Sequence, residues 1–231
     1  MLDRAALVTT FFALSLSGAA LAGETAFPGV PADDELSFKV FRGDAEIGTH
    51  VLRFWRDGQR LTVDIDIDLK VKVGPIPVFR YTHEGQEVWD ADGFVRMTST
   101  TNDDGEDLTM SAKRTDAGIS IEGSNFTGVI DAGPIPTTYW NQATIEQTRL
   151  ISSQSGLPLD VEIENLGTEQ VETDAGSVEA TKYVVRSKID LFLWYDEAGR
   201  WVKCAFDGKG KLITYQLQGA AGDITSLAAV D

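Results

Sequence analysis

The chain has 231 residues, of which 36 are acidic and 20 basic, and carries a formal net charge of −16 with two histidines and one cysteine. A polyanion of this kind repels phosphate backbones and anionic lipid surfaces, so nucleic acid is excluded as a natural partner and an anionic membrane surface is disfavoured. The single Cys204 rules out an internal disulfide.

Residues 1–22 read as a secretory signal peptide. Arg4 precedes an apolar run from Ala5 to Leu21, which ends in Ala20-Leu21-Ala22 before Gly23. The run is short and rich in Ser, Thr, Ala and Gly, so it does not read as a lasting membrane span. Cleavage after Ala22 predicts a periplasmic or secreted chain, with no transmembrane segment after processing. No cysteine follows the cleavage site for lipid attachment, and removal of Asp3 and Arg4 together leaves the net charge at −16. Residues 23–34 are a flexible lead-in, 35–218 a single β domain, and 219–231 a tail expected to fray.

Within the domain, apolar residues alternate with polar ones. Leu36, Phe38 and Val40 mark a first strand, and a second runs from Glu46 to Arg56. Asp57-Gly58 predicts a two-residue hairpin turn, which sets Phe54 opposite Leu61, Leu52 opposite Val63 and His50 opposite Ile65. Gly48 predicts a bulge or bend. From Leu61 to Val73 every odd position is aliphatic and every even one polar, which predicts one long strand with a dry and a wet face. The dry face has to be covered along its length.

Gly74-Pro75-Ile76-Pro77 turns the chain into Val78–Trp89, followed by strands near 94–100, 108–114 and 119–130 with Asp- and Gly-rich corners. Gly133-Pro134-Ile135-Pro136 repeats the earlier tetrapeptide, a duplication or a coincidence at similar corners. Residues 137–153 lose the alternation and predict one short helix ended by Gly156 and Pro158. Strands resume at 159–163, 169–173, 178–188, 191–195, 201–206 and 211–217. The fold class is therefore all-β, an antiparallel meander of 11–12 strands curled by its twist into a barrel or half-barrel.

Few residues suggest chemistry. Phe79, Tyr81, His83, Glu87 and Trp89 share one strand face, so His83 is a candidate general base with Glu87 orienting it, beside the simpler reading of a cross-strand hydrogen bond. A zinc site is hard to build from His50, His83 and Cys204, and no metal or other cofactor is expected. Asp64, Asp66 and Asp68 read as a wet outer face rather than a calcium site. Serine-nucleophile and phosphate-loop motifs are absent. Five tryptophans and eleven phenylalanines either fill a curled sheet or line a cavity for an apolar ligand. The candidate lining residues are His50, Phe79, Tyr81, Trp89, Trp140 and Trp194.

Ala45-Glu46-Ile47-Gly48-Thr49-His50, Arg80-Tyr81-Thr82-His83 with Glu87 and Trp89, Trp140-Asn141, and Leu193-Trp194-Tyr195-Asp196 through Trp201 to Tyr215 together resemble an exported bacterial family, domain of unknown function family 6134. The resemblance implies an exported β domain and brings no activity, cofactor or catalytic residue with it. Three functions stay open: a carrier of an apolar or amphipathic small molecule or lipid, a hydrolase- or isomerase-type enzyme using His83 and Glu87, and a structural envelope module that binds a protein partner.

Overall fold

The computed structural model describes residues 27–219; the predicted signal peptide and almost all of the tail lie outside them. The strand meander predicted from alternation forms as β1 (Glu35–Arg42), β2 (Ala45–Asp57), β3 (Arg60–Val73), β4 (Ile76–Asp90), β5 (Gly93–Asp103), β6 (Glu106–Thr115), β7 (Gly118–Gly123) and β8 (Thr127–Ile130). After β9 (Ile135–Pro136), β10 (Arg149–Ile151) and β11 (Pro158–Asp160) come β12 (Glu162–Thr173), β13 (Gly176–Arg186), β14 (Asp190–Asp196), β15 (Trp201–Asp207) and β16 (Leu212–Gln218). Thirteen strands make one antiparallel sheet in the order β12-β13-β14-β15-β16-β1-β2-β3-β4-β5-β6-β7-β8. It curls into an open, barrel-like trough with β12 and β8 as its free edges, so the half-barrel form is the one adopted.

Local details differ from the sequence reading in physically simple ways. The β2–β3 loop is Gly58-Gln59, so Asp57 pairs with Arg60, Phe54 with Val63, Leu52 with Ile65 and His50 with Ile67. Gly58 takes φ 59, and the two-residue turn with glycine in its first central position fits that conformation. The register is displaced by two residues, which keeps every side chain on its expected face. Residues 119–130 are a tight hairpin of β7 and β8 rather than one strand, and 162–173 is one strand with an irregularity between Asn165 and Thr168. In 137–153 the helix is reduced to a 3-10 turn, Gln142–Glu146, which Asn141 caps through the Ala143 N–H. Further along the stretch, Arg149–Ile151 forms β10, which pairs with β9 just ahead of it.

Gly48 is the bend expected of it. The β1–β2 register slips at Val40/Phe41, and Gly48 sits at φ 149 with its backbone against Asp68. A methyl group there would stand 1.9 Å from the Asp68 carbonyl oxygen. Gly48→Ala is therefore expected to cost about 2 kcal/mol, read as a lowered urea midpoint with unchanged slope.

The segment between β8 and β12 covers the concave side of the sheet. Within it β9, β10 and β11 form a separate three-stranded sheet. Its Ile135, Trp140, Leu150 and Ile151 are buried in the same core as Phe38, Leu52, Phe54, Leu61 and Val63 from the main sheet. Ser99 donates to the Ser153 carbonyl, and the Tyr195 hydroxyl donates to the Tyr139 carbonyl at 2.7 Å. The insert thus holds both arms of the trough. Under it the dry face of β3 is buried from Leu61 to Ile65 and again at Leu69. Beyond Leu69 the roof ends: Val71 is half-buried and Val73 is 66% exposed.

The two Gly-Pro-Ile-Pro copies occupy unlike places. The first is the exposed β3–β4 turn, and the second leads into buried β9, so the repeat marks no equivalent corner.

Candidate functional site

The interior polar groups fall into two clusters along β4. His83 and Glu87 are four positions apart on an extended strand, a separation of about 13 Å, and their hydrogen bonds go to different partners. The geometry does not bring them into the base-and-orienter pair considered from the sequence.

Glu87 lies fully buried beneath the insert. Its Oε2 accepts from the indoles of Trp89 at 2.7 Å and Trp140 at 2.8 Å, and its Oε1 accepts from the Thr138 hydroxyl at 2.7 Å. Tyr139, at φ 62, folds the backbone so that its two neighbours, Thr138 and Trp140, both reach one carboxylate. Burial pushes the Glu87 carboxyl above its ordinary range, and the three donors pull the other way. Every donor is neutral, so the carboxyl acts as an acceptor hub joining insert to sheet. Trp140 also meets Trp89 and Phe54 edge-on, with ring centroids 5.4 Å apart in each pair.

The histidines form the second cluster. His50 pairs with Ile67, and Ile67 with His83, so the two imidazoles lie in one transverse row about 10 Å apart. His83 Nδ1 is 2.8 Å from the Thr101 hydroxyl. The glycine at 85 leaves room for it: a methyl there would come 3.2 Å from His83 Nε2. His50 is packed among Phe38, Trp201 and Tyr215, with both ring nitrogens buried and without a hydrogen-bond partner. Desolvation lowers His50 from 6.5 to about 3 and His83 to about 4. Both are neutral imidazoles at neutral pH. Cys204 is buried and its thiol is pushed up by the same desolvation, away from nucleophilic chemistry.

The other candidates scatter. Phe79 and Tyr81 are half-buried at the far end of β4, where Lys209 lies 5.4 Å from the Phe79 ring centroid. Trp194 sits on the opposite face from Leu193, donates to Glu169 at 2.7 Å and is flanked by Lys182 and Lys203. It is buried, but its partners are charged side chains and it borders neither the cavity at the β4–β5 end of the trough nor the histidine cluster. Asp66 and Asp68 are exposed on the wet face of β3, with Asp68 beside Arg80 and Asp64 accepting from Gln86. Among the described residues no three His, Cys, Asp or Glu side chains gather around a common point for a metal.

Of the predicted lining residues, Trp89 opens onto a cavity. That cavity lies at the β4–β5 end of the trough and has a volume of ≈ 560 Å³. Trp89, Phe94, Ile119 and Ile135 are buried in its wall, and half-buried Phe27 and Ile145 border it. Polar and charged residues border it as well: Asn141, Gln142 and Glu146 from the insert, and Asp90, Asp92 and Arg114, whose Nη2 donates to Asp90 at 2.5 Å and holds that carboxyl below its usual range. The sequence pattern missed most of these residues because they come from turns and from the non-alternating insert, which converge only in three dimensions.

The family match spans nearly all of this structure. Residues 38–218 match the family model described as "Domain of unknown function (DUF6134)". The chain belongs to that family. No curated protein sequence matches it. Among solved structures, the family member is similar to a crystal structure of a beta-barrel-like protein of domain of unknown function DUF1849 from Brucella abortus. That likeness has a TM-score of 0.60 and 15% identity, and covers 79% of this chain and 94% of the other; at that identity it speaks for the fold alone. A protein from Parabacteroides distasonis ATCC 8503, described as a "putative lipoprotein", aligns at TM-score 0.30 and 11% identity over 83% of this chain and 96% of that one. Among the described residues no helix is long and apolar enough to cross a membrane.

Proposed function

We propose that this DUF6134 protein is an exported binding module that takes an apolar or amphipathic small molecule into the pocket at the β4–β5 end of its trough. The observation that supports this reading is the ≈ 560 Å³ cavity with buried aromatic and aliphatic walls, in a fold whose deeper concavity is filled by its own insert. Its size is in the range of small-molecule sites, about 300–1,000 Å³, and the polar groups at its border can orient one end of a ligand. Asp90, Asp92 and Glu146 border it against the single cation Arg114, which favours a neutral head over an anionic one. The signal peptide predicted at residues 1–22 makes the periplasm the compartment of this binding. The enzyme alternative has less support, since His83 and Glu87 serve separate clusters.

N-phenyl-1-naphthylamine, a neutral apolar fluorophore, is expected to bind saturably and to change the emission of Trp89. Ile145→Asp, at the rim of the pocket, is expected to weaken that binding at least tenfold in a variant that stays folded, with Tm lowered because Ile145 packs partly against the core. Binding unaffected by Ile145→Asp, or no saturable binding at all, overturns the reading. Native mass spectrometry of protein recovered after export is expected to show a co-purifying apolar ligand.

A further inference from the structure

The β3–β4 hairpin departs from the rest of the sheet in shape and composition. Pairing between β2 and β3 ends at Gly48–Leu69, and pairing between β4 and β5 begins at Tyr81–Asp103. Residues 70–80 are therefore a two-stranded ribbon with no strand on either side, reaching about 13 Å past its last neighbour. At its end Val73 is 66% exposed, Ile76 63% and Val78 51%. From Val73 to Phe79 there is no polar side chain, and Pro75 and Pro77 stiffen the turn. An isolated aliphatic side chain on a surface is ordinary, but three on one projecting tip are a patch.

The charge around this tip is opposite to that of the chain. No acidic residue occurs from Leu69 to His83, whereas Lys70, Lys72 and Arg80 do. Lys209 reaches Phe79 from the β15–β16 turn, and the exposed Lys211 and Leu212 follow it. Carboxylates lie at the base of the ribbon: Asp68 beside Arg80, Asp103 opposite Tyr81, Asp104 accepting from the Arg80 N–H, Asp207 accepting from the Gly210 N–H, and Asp44 in the β1–β2 turn, whose Gly43 N–H donates to the Leu212 carbonyl.

We propose that the β3–β4 tip is a membrane-docking element, with Val73, Ile76 and Val78 entering the headgroup region of an anionic bilayer and Lys70, Lys72 and Lys209 contacting its phosphates. The net charge of −16 opposes an approach by the body of the domain, but that repulsion is screened over about 8 Å at physiological salt, less than the reach of the ribbon. Each lysine near such a surface is worth roughly a fivefold gain in partitioning. The tip lies at the opposite end of β4 from the Trp89 pocket, so docking leaves the pocket mouth free and stands independently of the ligand reading.

The test is co-flotation of the chain starting at Gly23, which keeps the whole described fold, with vesicles of phosphatidylcholine containing 30% phosphatidylglycerol. The expected result is binding at 150 mM salt that falls at least tenfold at 500 mM salt, in pure phosphatidylcholine, or in the double variant Val73→Ser, Ile76→Ser with unaltered Tm. Ile76→Trp should add an emission component that shifts to the blue with the anionic vesicles. Equal flotation of wild type and double variant overturns the proposal. So does absence of flotation at 150 mM salt, including the case in which the tip captures a protein instead.

Discussion

Replacing Glu87 with alanine is expected to destabilise the protein by about 3–5 kcal/mol, the largest effect of any single polar substitution considered for this molecule. The carboxylate is the common acceptor of two indole N–H groups and a threonine hydroxyl, all inside the core. Deleting it strands three buried donors, each costing about 1–3 kcal/mol when left unpaired, less what relaxation or an entering water recovers. Two of the donors are on the insert, so the loss is also expected to loosen residues 137–153 ahead of the main sheet, seen as faster amide exchange there. Glu87→Gln distinguishes the hub from a need for charge. Its carbonyl can accept from both indoles while its amide donates to Thr138, so most of the stability should return, with a cost of about 1 kcal/mol. Chemical denaturation of the two variants side by side is the measurement. Equal losses for alanine and glutamine would show that ionised Glu87, rather than its hydrogen-bond geometry, holds the insert.

His50→Phe is expected to remove much of the protein's acid sensitivity. The folded state holds His50 at about 3 and His83 at about 4 against 6.5 for each when exposed. Between those values the unfolded chain binds more protons than the folded one, so stability is complete above pH 6.5 and falls as the pH drops. At pH 4.5, two units below the unfolded value, each histidine costs about 2–3 kcal/mol. Glu87 runs the other way, because a raised carboxyl adds stability at low pH that is lost as the pH rises. Wild-type profiles therefore mix the signs, and the difference between wild type and variant isolates His50. Going from pH 7 to pH 4.5, His50→Phe should gain about 2–3 kcal/mol on wild type in urea unfolding. A phenylalanine fits the ring cluster of Phe38, Trp201 and Tyr215, and it removes two nitrogens without partners. Parallel pH profiles would mean that His50 is solvated or partnered in solution.

The part of this protein that its sequence determined is the strand framework. Alternation of aliphatic and polar residues is a local property of an extended backbone, so Leu61–Val73 declared both its conformation and its buried face. The same arithmetic also bore on chemistry, and the pairing of His83 with Glu87 considered from the sequence left it out: at about 3.3 Å per residue, the two are too far apart on one strand to touch. Exact turn residues were less legible, because Asp57-Gly58 and Gly58-Gln59 place identical faces inward and differ only by a two-residue slip. What tertiary structure alone decided is how the trough is filled. Thr138 and Trp140 lie 51 and 53 residues from Glu87, and no periodic signal links an irregular insert to the strand it covers. The pocket has the same origin, since the ends of β4 to β7 meet the insert and the lead-in there, and that meeting depends on how the sheet curls. Local sequence periodicity encodes which face is dry; only the path of the whole chain encodes what comes to lie against it.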